Sequence, residues 1–354
     1  MLCPVPITRH KTVVMGHGSG GRLTAQLVRE LFLPAFDNAA LRKLDDQAVL
    51  EVGGSRVAFT TDSFVVTPLF FPGGNIGELA VNGTVNDLAM SGAMPVGLSA
   101  AYIVEEGLAM EELARVVDAM AQAASAAGVP IVTGDTKVVN RHSADKLFVT
   151  SSGIGLVPTG ITIAASNARP GDVILLSGSV ADHGMAVMAQ REALEIEGEI
   201  RSDTQALHRL VAAMLAAGEV HVLRDPTRGG LATSLCEIAE ASGIGIEIEA
   251  RAVPVRDEVR AACELLGIDP LFVANEGKLI AFIEPAQANA VLNVMRGRQE
   301  GRDAVAIGRA VEAHAGMVVM KTEIGGSRII DLPFHEQLPR ICLRGQRHLD
   351  LLTA

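Results

Sequence analysis

The sequence predicts an α+β protein of two domains followed by a tail. The chain has 354 residues, which is longer than a single hydrophobic core usually supports. Its first half mixes a strand hairpin with strand–helix–strand order, and its second half alternates helices with short strands. The apolar patterns weaken between Pro158 and Pro170. We therefore expect an N-terminal mixed α/β layer over residues 1–160, a C-terminal α/β layered domain over 165–332 and a flexible tail over 333–354.

The first half begins with two apolar runs joined by Gly53-Gly54, a pair that is typical of a hairpin turn. An Ala-rich run that ends at Gly128 indicates a long helix, since glycine commonly terminates helices. The predicted strands are 48–52, 56–61, 96–104, 129–134 and 146–157, and the predicted helices are 75–91 and 110–127.

The second half begins with a turn at Pro170-Gly171-Asp172 and continues with strands and helices in alternation. The predicted strands are 173–176, 220–223, 244–248, 279–283 and 317–321, and the predicted helices are 182–195, 203–217 and 230–241. After Asp331 the chain becomes an arm. Pro339 cannot easily join a preceding helix or central strand, so we expect the arm to carry Cys342 away from the body.

Composition excludes several classes of function. A net charge of -11 argues against nucleic acid or an anionic membrane as a partner. The cysteines, Cys3, Cys236, Cys263 and Cys342, show no CxxC spacing, so neither a disulfide framework nor a zinc ribbon is indicated. No secretory stretch and no membrane-length apolar run is found, and we expect a cytoplasmic protein. An acidic protein can still bind ATP where metal ions and backbone amides meet the phosphates.

A glycine-rich loop, His17 to Arg22, precedes an apolar-periodic helix. Glycines let the backbone curl so that its amides face an anion, and the start of a helix adds a positive dipole. The loop is neither a P-loop nor a dinucleotide fingerprint, and an ordinary flexible turn is the alternative. The candidate phosphate-binding residues are Gly18, Ser19, Gly20 and Gly21.

Aspartates recur at the ends of predicted segments, where carboxylates can share Mg²⁺ ions across a triphosphate. Any single one could instead be a helix cap or a turn residue. Asp62 and Asp87 each follow a run of apolar or small residues, which places them near a buried edge. The full set is Asp45, Asp46, Asp62, Asp87 and Asp135.

Three further segments offer polar side chains at turns. Lys137, in Gly134-Asp-Thr-Lys, could neutralise phosphate or act as a base, or could be a solvated loop lysine. The segment 224–230, RDPTRGG, combines a carboxylate, a hydroxyl, a guanidinium and free amides, which indicates function. Glu276 could be a carboxylate base or part of an Asn-capped turn. His183 is interpreted as structural, and Met185, Met188 and Met214 as core residues.

Taken together, these segments resemble the HypE family of hydrogenase maturation proteins, the carbamoyl dehydratases. HypE belongs to the superfamily of aminoimidazole ribonucleotide synthetase, selenophosphate synthetase and thiamine-monophosphate kinase. The likeness runs from about Gly16 to Cys342. The acidic motifs, including NGTVNDLAMSGA at 82–93, are shared across the superfamily, whereas the tail PRIC at 339–342 and DPTRGG at 225–230 single out HypE.

The resemblance implies a two-domain aminoimidazole ribonucleotide synthetase-like fold and a reaction. A partner carbamoyltransferase, HypF, loads a carbamoyl group onto Cys342. ATP phosphorylates the carboxamide oxygen, and loss of phosphate leaves a thiocyanate on the same sulfur. The cyanide is passed to an iron held by the HypC–HypD complex, as a ligand for nickel–iron hydrogenase. The superfamily also implies a homodimer that pairs through its N-terminal sheets, with the nucleotide near that interface.

The resemblance also implies roles for individual residues. The catalytic residues are Cys342, Lys137 and Glu276. Mg²⁺ ligands come from Asp45, Asp46, Asp62, Asp87 and Asp225. ATP-binding residues are Gly18, Ser19, Gly20, Gly21, Thr61, Asp62, Asn86, Asp135, Thr227 and Arg228.

One feature departs from the family pattern, in which the cysteine is usually the last residue. Here LRGQRHLDLLTA follows Cys342, as a natural extension, a segment removed later or a docking element. Two other functions remain open. One is a superfamily ligase or kinase that acts on a free small molecule, and the other is a nucleotide-binding scaffold for maturation partners.

Overall fold

The computed structural model describes residues 10–192, 194 and 198–333. The tail cysteine Cys342, the extension after it and Cys3 lie outside the described residues. Two main sheets organise the rest: a sheet of five strands from the first half and a sheet of seven strands from the second, with no strand in common. Among the described residues, no helix has the length and apolar character needed to cross a membrane.

The described part of the first half contains seven strands and four α-helices. Its sheet has the order β1-β2-β7-β5-β6, and β3 and β4 form a separate ribbon. The strands are β1 (Ala48–Val52), β2 (Ser55–Phe64), β3 (Phe70–Phe71), β4 (Gly74–Asn75), β5 (Met94–Glu105), β6 (Ile131–Val139) and β7 (Leu147–Leu156), and the helices are α1 (Arg22–Leu27), α2 (Leu33–Phe36), α3 (Ile76–Met90) and α4 (Met110–Ala127).

Local chemistry explains these elements. Gly53 and Gly54 both have positive φ, 58° and 82°, which fits the tight turn between β1 and β2. The side chain of Asn75 accepts hydrogen bonds from the backbone amides of Gly77 and Glu78, so it caps α3. Gly128 ends α4 in the left-handed conformation.

Within the described residues, helices cover only one face of the five-stranded sheet. α3 is almost entirely buried between α4 and the strands, and its small side chains allow this close approach. The opposite face carries exposed apolar side chains, which include Leu50, Phe59, Ile154 and Leu156. These residues share one face because Val57, two residues from Phe59, pairs with both Leu50 and Leu156, and Phe59 pairs with Ile154.

The second half is layered on both faces of its sheet, which has the order β14-β13-β10-β12-β8-β11-β9. Along β8, Ile174 and Leu176 pack into one apolar cluster and Leu175 into another, as alternation along a strand requires. The strands are β8 (Val173–Leu176), β9 (Val220–Arg224), β10 (Gly245–Glu249), β11 (Ile280–Ile283), β12 (Val305–Val311), β13 (Val318–Lys321) and β14 (Ser327–Ile330), and the helices are α5 (Asp182–Arg191), α6 (His208–Ala217), α7 (Gly230–Ser242), α8 (Asp257–Leu266) and α9 (Ala288–Arg296).

The predicted α+β class is confirmed, and every predicted strand and helix is present; β1, α4 and β8 have the predicted ends, and the ends of the others are shifted. Two expectations about α5 and α6 were wrong in extent: α5 ends at Arg191, and α6 begins at His208 rather than at Asp203. The sequence analysis also missed β3, β4, α8, α9, β12 and β14. The domain limits at 160, 165 and 332 stay predictions.

Candidate functional site

A cleft of about 460 Å³ lies between the two halves of the molecule. One wall comes from the end of β2 and from α3, and the other from the turn between β9 and α7 and from the loop before β11. The cleft gathers residues that are far apart in sequence. The predicted residues that line it are Gly18, Ser19, Asp46, Thr61, Asp62, Asp87, Asp225, Thr227, Arg228 and Glu276.

Four aspartates meet in this cleft. Asp87 is presented by α3, and its Oδ2 accepts a hydrogen bond of 2.7 Å from the Thr60 hydroxyl on β2. Asp62 follows on the same strand, and Asp225 comes directly after β9. Asp46 precedes β1. The shared location supports the prediction that these carboxylates act together.

The acidic groups of the cleft hold their protons unusually well. Burial raises the pKa of Asp87 well above its ordinary value, and the nearby carboxylates of Asp225, Asp46 and Asp62 raise it further. Burial is also the main cause that raises the pKa of Asp46, and it raises that of Asp225 to about 6. Like charges held out of water therefore make the cleft a strong attractor for a cation.

Only two guanidinium groups pair with these carboxylates among the described residues. Arg224 Nε lies 3.1 Å from Asp46 Oδ1, and the exposed Arg228 reaches Asp62 at 4.0 Å. Two arginines do not balance the carboxylates of the cleft, so an excess of negative charge remains. Hard oxygen ligands in excess of local cations are the donor set that Mg²⁺ prefers.

The glycine-rich loop contributes to the cleft in part. Gly18 and Ser19 line it, whereas Gly20 and Gly21 serve packing. A Cβ atom on Gly20 would lie 2.8 Å from the Arg228 carbonyl oxygen, and one on Gly21 would lie 2.4 Å from that of Pro333. The Gly20 amide already donates to Thr24 Oγ1. These two glycines thus let the loop approach the second half and the last described residue.

The turn from Asp225 to Gly230 ends in the left-handed backbone conformation, which favours glycine. Gly229 and Gly230 both have positive φ, and a Cβ atom on Gly230 would lie 2.6 Å from the carbonyl oxygens of Leu271 and Val273. The turn thereby sets the start of α7 at the cleft. Asp225, Thr227 and Arg228 all project from this turn into the lining.

Glu276 lies in the same cleft, in the loop before β11. Its pKa is raised well above the ordinary value by burial first, and then by the charges of Asp225, Asp62 and Asp203. A carboxylate with a raised pKa is a competent general base near neutral pH. The geometry is consistent with the predicted catalytic role of Glu276.

Other predicted residues do not reach the cleft within one chain. Asp45 accepts a hydrogen bond from the Ala165 amide, which ties it to the segment between the sheets. Lys137 pairs with Asp135 at 2.9 Å, and both side chains are mostly exposed. Asn86 is buried. Its Nδ2 donates to the carbonyls of Gln205 and Glu276, and its Oδ1 accepts a hydrogen bond from the Leu207 amide.

Lys137 lies on the exposed apolar face of the five-stranded sheet. It pairs in register with Ile103 on β5, which in turn pairs with Phe148 on β7. Phe148 and Ile154 are an even number of residues apart on β7, so their side chains point to the same face. The sequence could not reveal this, because a position at the end of a strand does not fix the face.

Sequence reasoning missed the apolar wall of the cleft and the segment behind Glu276. The wall joins side chains from both halves, and the segment includes Asp203, which lay inside a predicted helix. His183, interpreted as structural, lines the cleft while its Nδ1 lies 2.9 Å from the Ser202 hydroxyl. The apolar wall consists of Val65, Val66, Leu79, Val187, Met188, Ile268, Phe272 and Val273.

Comparison with protein families gives two matches that follow the two sheets. Residues 44–157 match the family described as AIR synthase related protein, N-terminal domain. Residues 169–321 match the corresponding C-terminal domain. The carboxylates of the cleft come from both regions, since Asp46, Asp62 and Asp87 lie in the first and Asp225 and Glu276 in the second.

Three of the similar proteins carry the name HypE. Carbamoyl dehydratase HypE of Cupriavidus necator is 56% identical over 330 residues, which cover 93% of this chain and 94% of that protein. A crystal structure of HypE in complex with ATP is 49% identical, with a TM-score of 0.78 over 94% of this chain and all of that one. A crystal structure of a HypE–HypF complex has a TM-score of 0.83 at 48% identity, covering 87% of this chain and 99% of that one.

Proposed function

This chain belongs to the HypE family of carbamoyl dehydratases, and from that membership we propose that it dehydrates a carbamoyl group on its own Cys342 to a thiocyanate. The reaction consumes ATP and forms ADP and phosphate. The observation that carries the proposal is the single cleft that joins buried aspartates to Glu276. A site for phosphoryl transfer and a base are thus adjacent.

The bond changes balance without any further reactant. The carboxamide oxygen takes the γ-phosphoryl group of ATP, which converts a poor leaving group into a good one. The carbon–oxygen bond then breaks, phosphate departs, and the nitrogen loses its two protons. The sulfur–carbon bond stays intact, and a thiocyanate remains on Cys342.

We propose that Asp46, Asp62, Asp87 and Asp225 hold Mg²⁺. Their burial, their raised pKa values and the shortage of paired arginines all fit a divalent cation. Mg²⁺ bound there would neutralise phosphate charge during transfer. Thr227 and Arg228 would orient phosphate oxygens, with the Gly18 and Ser19 backbone on the other side of the cleft.

Glu276 is proposed to accept one amide proton. Its side chain is partly buried in the cleft, and its raised pKa favours proton uptake near neutral pH. Lys137 is proposed to assist at the same substrate, but its side chain lies on the outer face of the five-stranded sheet. Its role therefore requires a second copy of the chain.

We propose a homodimer that pairs through this outer face. A continuous set of exposed apolar side chains on one sheet face is typical of an interface. Thr61 and Ser63 point to the same outer face and also line the cleft. The cleft therefore borders the proposed interface, and Lys137 of a second copy could complete it.

The proposed partners follow from the chemistry. HypF would load the carbamoyl group, and the HypC–HypD complex would receive the cyanide for the iron of nickel–iron hydrogenase. The protein would act in the cytoplasm.

Intact-protein mass spectrometry tests the function. The full chain is carbamoylated by HypF and then given Mg-ATP. We expect the gain of one carbamoyl group and then the loss of one water, both mapped to Cys342 and both absent from Cys342→Ala. If Cys342→Ala keeps full turnover with a diffusible substrate, the protein is a ligase or kinase. If nucleotide binds without hydrolysis and Glu276→Gln keeps maturation activity, the protein is a scaffold.

A further inference from the structure

Behind Glu276, on the side away from the cleft, residues 202–205 form a loop that we call the clasp. Its side chains hydrogen-bond a backbone amide and a backbone carbonyl of the loop that carries Glu276. The Glu276 amide donates to Asp203 Oδ1 at 3.1 Å, and Gln205 Nε2 donates to the Gly277 carbonyl at 2.8 Å. Two side chains of the clasp thus hold the peptide group that precedes Glu276 and the one that follows Gly277.

The clasp also contacts the first half of the molecule. Asn82 on α3 donates to the Thr204 hydroxyl at 3.1 Å. Asn86, one turn further along α3, donates to the carbonyls of both Gln205 and Glu276. Because Asp87 follows Asn86 on the same helix, the clasp links the metal-binding wall to the loop that carries the base.

Asp203 has a buried counter-ion. Lys278 Nζ lies 3.3 Å from Asp203 Oδ2, and the two side chains are only 9% and 1% exposed. Asp203 Oδ2 has no hydrogen-bond partner among the described residues. A buried ion pair contributes little to stability when its desolvation is counted. Its location against the Glu276 amide indicates another role.

The backbone of the clasp also lies in close contact with the backbone of the Glu276 loop. A Cβ atom on Gly277 would lie 1.8 Å from the Asp203 carbonyl oxygen, so the two loops touch without an intervening side chain. Such contact allows little movement of Glu276 relative to the clasp.

We propose that Asp203 is a positioning residue for the dehydration: it fixes the backbone of Glu276, while Lys278 fixes Asp203. The inference rests on the proposed role of Glu276 as a base. Positioning matters because a displacement of about 1 Å at a catalytic group can cost about 100-fold in rate.

Single-turnover dehydration of the carbamoylated full chain tests the proposal, with Mg-ATP affinity measured by calorimetry on each variant. Asp203→Ala removes the acceptor, and we expect the rate to fall roughly 10- to 100-fold at unchanged affinity. The double variant Asp203→Asn with Lys278→Met keeps an oxygen for the Glu276 amide and buries no charge. We expect it to recover to within about threefold of the wild-type rate.

Two variants serve as controls. Asp303→Asn alters an exposed residue in the same polar cavity that pairs with Arg302, and we expect the wild-type rate. Gln205→Ala removes the bond to the Gly277 carbonyl together with a longer one to the Glu300 carbonyl but leaves Asp203 in place, and we expect an intermediate loss of rate. If Asp203→Ala does not fold, the dehydration rate of Gln205→Ala tests the proposal in its place.

The proposal is overturned if folded Asp203→Ala dehydrates at the wild-type rate or, where that variant does not fold, if Gln205→Ala does. It is also overturned if the double variant folds and binds ATP but stays as slow as Asp203→Ala. Glu276→Gln separates this failure from failure of the proposed function. If Glu276→Gln loses dehydration, Glu276 keeps its role whatever the clasp variants show.

Discussion

At the scale of single residues, the cleft combines charges that repel one another in the metal-free protein. Asp225 is buried and Asp46 and Asp87 are partly buried in the same cleft, and desolvation is the main cause that raises the pKa of each. Residues at such a site lower the folding stability of the protein while they serve its function. The sequence singled out these aspartates because Asp46 and Asp225 flank strands and because the resemblance to the HypE family implies that all of them bind metal.

Asp87→Asn should separate binding from stability. The amide keeps a partner for the Thr60 hydroxyl but removes a buried charge among like charges. We expect Mg-ATP binding to be lost in calorimetry, while the melting temperature of the metal-free protein stays level or rises. An unchanged affinity would contradict the assignment of Asp87 to the metal site.

The metal site should also give stability a characteristic pH dependence. Since burial raises the pKa of Asp225 to about 6, the folded metal-free protein binds protons that the unfolded chain has released. This contribution to stability is present below the unfolded pKa and is lost as the pH rises through about 6. Mg²⁺ needs the deprotonated carboxylates.

We therefore expect Mg²⁺ to raise the melting temperature at about pH 7.5 and to have little effect at about pH 5. The difference with and without Mg²⁺ is the useful measurement. His183, whose pKa burial lowers to about 4, acts in the opposite direction and cancels in that difference. Equal stabilisation by Mg²⁺ at both pH values would argue against these ligands.

At the scale of elements, the sequence was most informative where local signals agree with the tertiary fold. The β1–β2 hairpin follows from Gly53-Gly54, and the end of α4 follows from Gly128. The missed helix α8 has a signal too, since acidic residues open it and Gly267 ends it in the left-handed conformation.

Long-range contacts explain the errors. The stretch from Asp203 to Leu207 has helical composition, yet its backbone and side chains bond α3 and the Glu276 loop instead. These partners are more than 70 residues away, so no local pattern reveals them. The role of Asp203 was therefore beyond prediction from one sequence, as was the face on which Lys137 lies.

The two ends of α7 offer a matched comparison for the turn at Asp225. Gly230 and Gly243 both have positive φ, but only Gly230 is crowded by backbone atoms. Gly243→Ala should cost about 1 kcal/mol of unfolding free energy through its φ alone. Gly230→Ala should cost about 2 to 4 kcal/mol and weaken ATP binding. Denaturant unfolding and calorimetry check both, and equal costs would contradict the argument.

At the scale of the whole molecule, the two proposed catalytic side chains Lys137 and Glu276 lie apart among the described residues of one chain. Glu276 lies in the cleft, whereas Lys137 lies on the exposed apolar face of the five-stranded sheet. That face is covered by no helix of the described chain. Pairing of two such faces would bury apolar surface and bring each Lys137 toward the cleft of the other chain.

Mixing two inactive variants tests this arrangement. Lys137→Ala and Glu276→Gln should each abolish dehydration alone. In a mixed dimer, the chain with Lys137→Ala keeps Glu276 and receives an intact lysine from its partner, so one of two sites works. Random pairing at equal amounts should then restore about a quarter of wild-type activity, since about half of the dimers are mixed. Dimers that stay inactive after verified subunit exchange would place Lys137 outside the reaction or confine it to its own chain.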